Sequence, residues 1–255
     1  MKLLVLGSGT STGVPRVGND WGACDPDNPR NRRTRVSIIV ESDSGQRILI
    51  DTSTDLRHQL LANDIPSVDA VFWTHDHADH CHGIDDLRVM RYGRDGPIPG
   101  YAAEETVRRL RQRFGYVFAG QHGYPTIVSL ETLDRLRLIG GMSVDWCQMP
   151  HGPARSTAFR FSAGSGSIGY ATDFSEITDE LVEVMEDVDL FVVDCLRRDP
   201  HPTHAHLGMA LELADRCAAR RVVLTHLDKS LDYATLDAET PSHVEPAYDG
   251  LEIEL

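Results

Sequence analysis

Residues 74–83 read Thr-His-Asp-His-Ala-Asp-His-Cys-His-Gly, which is four histidines and two aspartates in ten positions, directly after the apolar run Asp69-Ala-Val-Phe-Trp73. A solvated turn gains nothing from crowded imidazoles, so the stretch is built to hold something. The apolar run predicts a strand over Ala70–Trp73, and His75 leaves its end. The turn brings the alternate positions His75 and His77 close together. Asp79 and His80 then open the next element, where both can face a neighbouring ion. Imidazole and carboxylate are the ligand types that suit zinc, manganese or iron, and this density of them points to two metals.

Three more candidates lie far along the chain: His151 in Gln148-Met-Pro-His-Gly, Asp173 in Tyr170-Ala-Thr-Asp-Phe, and His226 in Leu224-Thr-His-Leu. Each follows an apolar strand by one or two residues. In an open α/β sheet, loops at one end of several strands converge on one crevice. A lone histidine at a strand end is usually structural; three candidates that complement a His-x-His-x-Asp-His turn read as ligands.

The chain has 255 residues and no Gly/Ser linker, charge block or short repeat, so residues 1–255 read as one continuous α/β domain. Strand-like runs are Leu3–Leu6, Val36–Glu41, Arg47–Ile50, Ala70–Trp73, Ser143–Gln148, Ala158–Phe161, Ser167–Ala171, Leu190–Val193 and Val222–Leu224. Helix-like runs are Leu56–Ala62, Asp85–Tyr92, Glu104–Phe118, Asp179–Glu186 and Leu207–Ala219, with Thr178 as an N-cap. Gly18–Arg35 is polar and reads as a loop. The five cysteines (Cys24, Cys81, Cys147, Cys195 and Cys217) show no disulfide-like spacing, which suits a reducing compartment. The opening MKLLVLGSG lacks a secretory h-region, and no apolar stretch approaches ~20 residues, so a cytoplasmic location without membrane contact is expected. A formal net charge of −14 argues against a broad nucleic-acid surface. The basic runs Arg30–Arg35 and Arg108–Arg113 read as solvated faces.

Thr74-His-Asp-His-Ala-Asp-His80, followed by a lone His, an Asp and a final His, resembles the metallo-β-lactamase fold of hydrolases. Gly7-Ser-Gly-Thr-Ser-Thr-Gly-Val-Pro15 is similar to the opening loop of its phosphonate-operon phosphodiesterase (PhnP-like) branch. The resemblance implies a four-layered αββα sandwich. It implies that His75, His77 and His151 hold one ion, that Asp79, His80 and His226 hold the other, and that Asp173 bridges them. Seven protein groups leave room for a shared water with the ions roughly 3.5–4 Å apart, and coordination brings such a water's pKa to about 7. The cofactors expected are therefore two divalent ions, Zn²⁺ or Mn²⁺, with Fe²⁺ also compatible.

A leaving alkoxide needs a proton, and His201-Pro-Thr-His204-Ala-His206-Leu offers three imidazoles. The resembled branch takes its acid from an H-x-x-Leu pattern 22 residues before the last ligand, which lands on His204. His206 is the competitor, and its bland reading is a helix cap. The catalytic candidates are thus His204 and, beside its metal role, Asp79. Gly7–Pro15 is expected to border the pocket, and Asp194 to orient a ligand or His204.

The leading expectation is a dinuclear-metal phosphodiesterase acting through metal-activated hydroxide on a small phosphodiester, cyclic forms included. The alternative is a thioester or lactone hydrolase using the same metals. A tRNA 3′-processing nuclease ranks third, because no basic arm is inserted, and a non-catalytic role like that of the pyrroloquinoline-quinone-associated group ranks last. His77 stands where the flavo-diiron branch carries an acid. The resemblance suggests a homodimer and a small-molecule partner, with nucleic acid disfavoured. The branch's extra structural zinc is not expected, since Gly18–Arg35 keeps only Cys24; losing it is expected to untie that loop.

Overall fold

The computed structural model describes residues 1–121 and 123–255. The chain runs β1 (Lys2–Gly7), β2 (Ser37–Glu41), β3 (Arg47–Ile50), α1 (Leu56–Ala62), β4 (Ala70–Trp73), α2 (Ala78–Cys81), α3 (Leu87–Tyr92), β5 (Ile98–Ala102), α4 (Glu104–Arg113), α5 (Gly115–Ala119) and β6 (Val128–Thr132). It continues with β7 (Leu138–Ile139), β8 (Met142–His151), β9 (Ala154–Ala163), β10 (Gly166–Ala171), α6 (Asp179–Met185), β11 (Leu190–Asp194), α7 (Leu207–Arg216), β12 (Arg221–Thr225), α8 (Tyr233–Glu239), β13 (Val244–Pro246) and β14 (Glu252–Glu254). The first sheet is ordered β14-β1-β2-β3-β4-β5-β6 and the second β13-β12-β11-β10-β9-β8-β7. Each is antiparallel on one side and parallel on the other, the parallel parts being β3 to β6 and β10 to β13.

The period of two along each strand builds the layers. Leu3 and Val5, Ala70 and Phe72, and Leu190 and Val192 point between the sheets. Their neighbours Leu4, Leu6, Val71 and Trp73 pack under α1, α3, α4 and α5. Phe191 and Val193 pack under α6, α7 and α8. Three apolar interfaces therefore separate four layers, giving the αββα sandwich. Phe72 of the first sheet meets Phe159 and Phe161 of the second edge-on, at 5.4 Å each, which locks the two together. No helix among the described residues is long and apolar enough to cross a membrane, and all five cysteines are free and buried.

Every strand read from the sequence is present, and Thr178 caps α6 by accepting from the Leu181 N–H at 3.2 Å. The expected helix Glu104–Phe118 is two helices, because the backbone leaves helical geometry at Phe114 (φ −122°, ψ 37°) and restarts at Gly115. Glycine costs about 1 kcal/mol in a helix interior, so the break falls there. β5 lies inside the first sheet although its sequence is Ile98-Pro-Gly-Tyr-Ala, punctuation that argues against a strand. Gly100 is needed: a Cβ there would lie 2.5 Å from Val128 and 3.0 Å from the Trp73 ring.

The expectation that Gly18–Arg35 is untied is not met. Arg33 is 2% exposed and donates to the Asp228 and Leu231 carbonyls at 3.1 and 2.7 Å. Asn31 donates to Asp232 at 2.6 Å and accepts from the Tyr233 N–H at 2.8 Å. The loop is thus tied to the segment after β12 by a buried guanidinium and an amide. The rest of that basic run is also engaged: Arg30 lies 4.7 Å from both the Tyr233 and Tyr248 rings, and Arg35 pairs with Asp55 at 3.0 Å.

Candidate metal centre

The carboxyl ends of β3, β4, β10, β11 and β12, and the end of β8, open on one edge of the sandwich. Asp51, Asp173 and His226 sit there in left-handed backbone, with φ of 63°, 62° and 60°. Such a conformation turns the chain sharply off a strand and aims the side chain back across its end; Asp and His tolerate it better than most residues. His75 leaves β4 one residue after Thr74, and α2 carries Asp79 and His80. Gly83 closes the motif against the Asp51–Ser53 turn, so tightly that a Cβ would fall 2.0 Å from the Ser53 carbonyl oxygen.

All seven residues named as ligand candidates come together. Ligand atoms of His75, His77 and His151 lie within 4.8 Å of one another, and so do those of Asp79, His80 and His226. Asp173 stands between the two groups. Its Oδ1 is 4.0 Å from His75 Nε2 and 3.6 Å from His151 Nε2, while its Oδ2 is 3.2 Å from His80 Nε2 and 3.7 Å from His226 Nε2.

The opposite face of each ring explains the orientation. His80 Nδ1 bonds Asp51 Oδ2 at 2.7 Å, and Asp51 also accepts from the Thr74 N–H and hydroxyl at 2.8 Å each. His151 Nδ1 donates to the Thr203 carbonyl at 2.7 Å. His226 Nδ1 lies 3.3 Å from Asp194 Oδ1. With the outer nitrogens of His80 and His151 bonded and that of His226 facing a carboxylate, the inner ones converge. The inner nitrogens His75 Nε2, His80 Nε2 and His226 Nε2 are buried without a hydrogen-bond partner, an arrangement that costs stability unless a cation is shared.

The charges agree with that. Burial pushes His75 well below its ordinary value, and His80 adds to the effect, which favours the neutral ring that can ligate a metal. Burial also opposes charge on His226, but Asp173, with Asp194 and Asp79, outweighs it and holds that imidazole at about 10. His80 is likewise raised, by Asp173, Asp79 and Asp51, against burial. Burial works to raise Asp173, yet His226 and His80 hold it well below the usual carboxylate range. The carboxylates thus draw positive charge to the centre, and protons compete there with metal for the same nitrogens. The donor set fits divalent ions.

His204 reaches the same centre. Its Nδ1 is 3.4 Å from Asp173 Oδ1 and 3.4 Å from Asp194 Oδ2, and its ring stacks on His226 at 4.9 Å and 18°. His206 does not: its Nδ1 accepts from the Met209 N–H at 3.0 Å and caps α7. Gly7–Pro15 runs alongside, pairing around the residue after His226, with Leu227 N–H donating to Ser8 O at 2.9 Å and Thr10 N–H to Leu227 O at 3.2 Å. Asp51, Thr74 and Thr203 were not singled out from the sequence. Asp51 carries the same signal as Asp173, an acid closing an apolar strand; Thr203 acts through its carbonyl and leaves no mark in the sequence.

An αββα sandwich with a histidine- and aspartate-lined centre at its strand ends defines a metallo-β-lactamase-fold, metal-dependent hydrolase. The beta-lactamase superfamily domain matches residues 46–227. The crystal structure of a diphosphatase from the PhnP family superposes with a TM-score of 0.89 at 35% identity, covering 99% of this chain and 96% of that one. The chain belongs to the beta-lactamase superfamily, in its PhnP-like branch. Zn²⁺-bound PqqB from Methylobacterium extorquens shares the fold, with a TM-score of 0.80 at 21% identity and full coverage of both chains. An octanoyltransferase of Porphyromonas gingivalis is 34% identical over 99% of this chain, which spans 51% of that protein.

Proposed function

We propose that the chain is a dinuclear-metal phosphodiesterase acting on a small phosphodiester or a related phosphoric anhydride. The observation that carries this reading is His204: an eighth group at the centre, outside the group of His75, His77 and His151 and that of Asp79, His80 and His226. Its ligand atom also converges with those of His151 and Asp173 and with those of Asp194 and His226. Two divalent ions, one with His75, His77 and His151, the other with Asp79, His80 and His226, and Asp173 between, would supply activated water and offset charge on the phosphoryl group.

The chain's own groups do the rest. Asp51, Thr203 and Asp194 hold the rings of His80, His151 and His226 in place. With Nδ1 turned toward Asp173 and Asp194, His204 would deliver a proton to the leaving oxygen from Nε2. As the bond from phosphorus to the leaving oxygen breaks, that N–H bond breaks and an O–H bond forms, so a diester's leaving group departs as an alcohol and an anhydride's as a protonated phosphate. The PhnP-family diphosphatase favours a phosphoryl substrate, since it is 35% identical over nearly its whole length.

The octanoyltransferase relative favours a second reading, on an acyl substrate. Acyl transfer through a covalent intermediate needs an accessible, activated nucleophile. Burial pushes the Cys81 thiol up to about 12 and raises Cys195 further. The two lysines, Lys2 and Lys229, pair with Glu252 and Asp20. An acyl substrate would therefore be hydrolysed at the metal centre. Turnover of bis(p-nitrophenyl) phosphate, a nucleoside diphosphate, an acyl thioester and a lactone by metal-replete protein separates the readings. Hydrolysis of the phosphorus compounds is expected; activity confined to the thioester or lactone would overturn the first reading.

A further inference from the structure

Asp76 lies between two of the proposed ligands, yet it belongs to none of the groups of converging ligand atoms. Its side chain is 5% exposed and meets α4: Arg113 Nη2 is 2.9 Å from Oδ2, and Arg109 Nη1 is 3.4 Å from Oδ1. Arg113 Nη1 also donates to the Asp76 carbonyl, and the Cys81 thiol donates to that oxygen at 3.3 Å. Arg113 thus reaches the residue between His75 and His77 twice, by an ion pair to its carboxylate and a hydrogen bond to its carbonyl, two contacts that one guanidinium spans through separate nitrogens.

His77 is where this grip matters. It is exposed, unlike the other six. Among the described residues its ring bonds no carboxylate or carbonyl; it meets only His75 and His151, with ring centroids 4.5 and 5.0 Å away. His80, His151 and His226 are each set by an outer partner, Asp51, Thr203 or Asp194. The position of His77 depends instead on the backbone of residues 75–77.

We infer, resting on the ligand reading above, that Arg113 and Arg109 are positioning residues that clamp this turn, and that they govern the ion held by His75, His77 and His151 alone. The other ion draws its geometry from Asp51 and Asp194, on different elements.

Cobalt(II) titration of chelator-stripped protein, followed by visible absorption, tests this together with thermal unfolding. Wild-type protein is expected to take two equivalents. Arg113→Ala keeps one at wild-type affinity and binds the other roughly 10–100-fold more weakly, with its absorption band altered. Arg113→Lys restores the loss in part, and Arg108→Ala, whose arginine bonds only Glu105, leaves both ions unchanged. Should Arg113→Ala not fold, Arg109→Ala is the milder form, with a smaller loss expected at the same ion. Unchanged affinity and spectrum in the clamp variants, whatever their melting temperature, would show that the arginines only dock α4 and would overturn the inference. Equal loss of both ions would overturn its selectivity. Wild-type protein that binds no cobalt would remove the ligand reading itself.

Discussion

His204 stacks on His226 and shares Asp173 with the centre, and the two ions assigned to His75, His77 and His151 and to Asp79, His80 and His226 would be held without it. Its loss should therefore separate chemistry from metal binding. His204→Ala is expected to lower kcat by roughly 10²–10⁴ on a substrate with a poor leaving group, with metal content retained; steady-state kinetics beside elemental analysis checks both halves. Unchanged turnover of such a substrate would remove His204 as the acid. Asp51 is the converse case, since its carboxylate bonds His80 and Thr74. Asp51→Asn should weaken metal binding roughly 10–100-fold, read by competition with a chromogenic chelator, while an unaltered affinity would mean that His80 needs no orienting partner. At this scale the sequence was informative where chemistry is written in side chains. His75, His77, Asp79 and His80 could be named from their density after one apolar run, and His151, Asp173 and His226 because each follows an apolar strand. The Thr203 carbonyl and the left-handed turns at Asp51, Asp173 and His226 could not, because backbone geometry has no letter of its own.

Among the elements, the period of two marked the strands that pack between layers, and it failed where another constraint dominated. β5 carries Gly100 because Val128 and Trp73 leave no room for a Cβ, and with Pro99 beside it the composition reads as a turn. β13 and β14 have three residues each, too few to show a period. The loop before β2 was misjudged for a related reason: Arg33 reads as surface charge, and only the fold supplies the carbonyls that bury it. Asp232 anchors the same contact. Burial works to raise its carboxyl, but bonds from Thr235, Asn31 and Asp25 outweigh this and hold it at about 2. Its folded value lies below the ordinary 3.8, so the stability it contributes is present above that pH and is lost as pH falls toward the folded value. Asp232→Asn is expected to flatten that limb of the acid-unfolding curve; a limb as steep as that of wild-type protein would show that the anchor carries no such linkage.

For the molecule as a whole, the centre joins residues from both sheets, so metal and fold are coupled. Buried carboxylates and inward-facing imidazoles without a cation repel or compete for protons, and ions bound only by the folded chain stabilise it. At free metal about 1,000-fold above Kd this amounts to about 4 kcal/mol for each ion, or a rise in Tm of roughly 8–16 °C per ion for a chain of this size. Chelation should lower Tm by a comparable amount, and Zn²⁺ or Mn²⁺ should restore it; a Tm indifferent to chelator would mean that the fold does not depend on the ions. The direct measurement is anomalous diffraction from crystals of metal-replete protein, collected at the absorption edge of the added metal. Two peaks are expected, roughly 3.5–4 Å apart, one against His75, His77 and His151, the other against Asp79, His80 and His226, with Asp173 touching both. A single peak, peaks elsewhere, or none would contradict the paired centre.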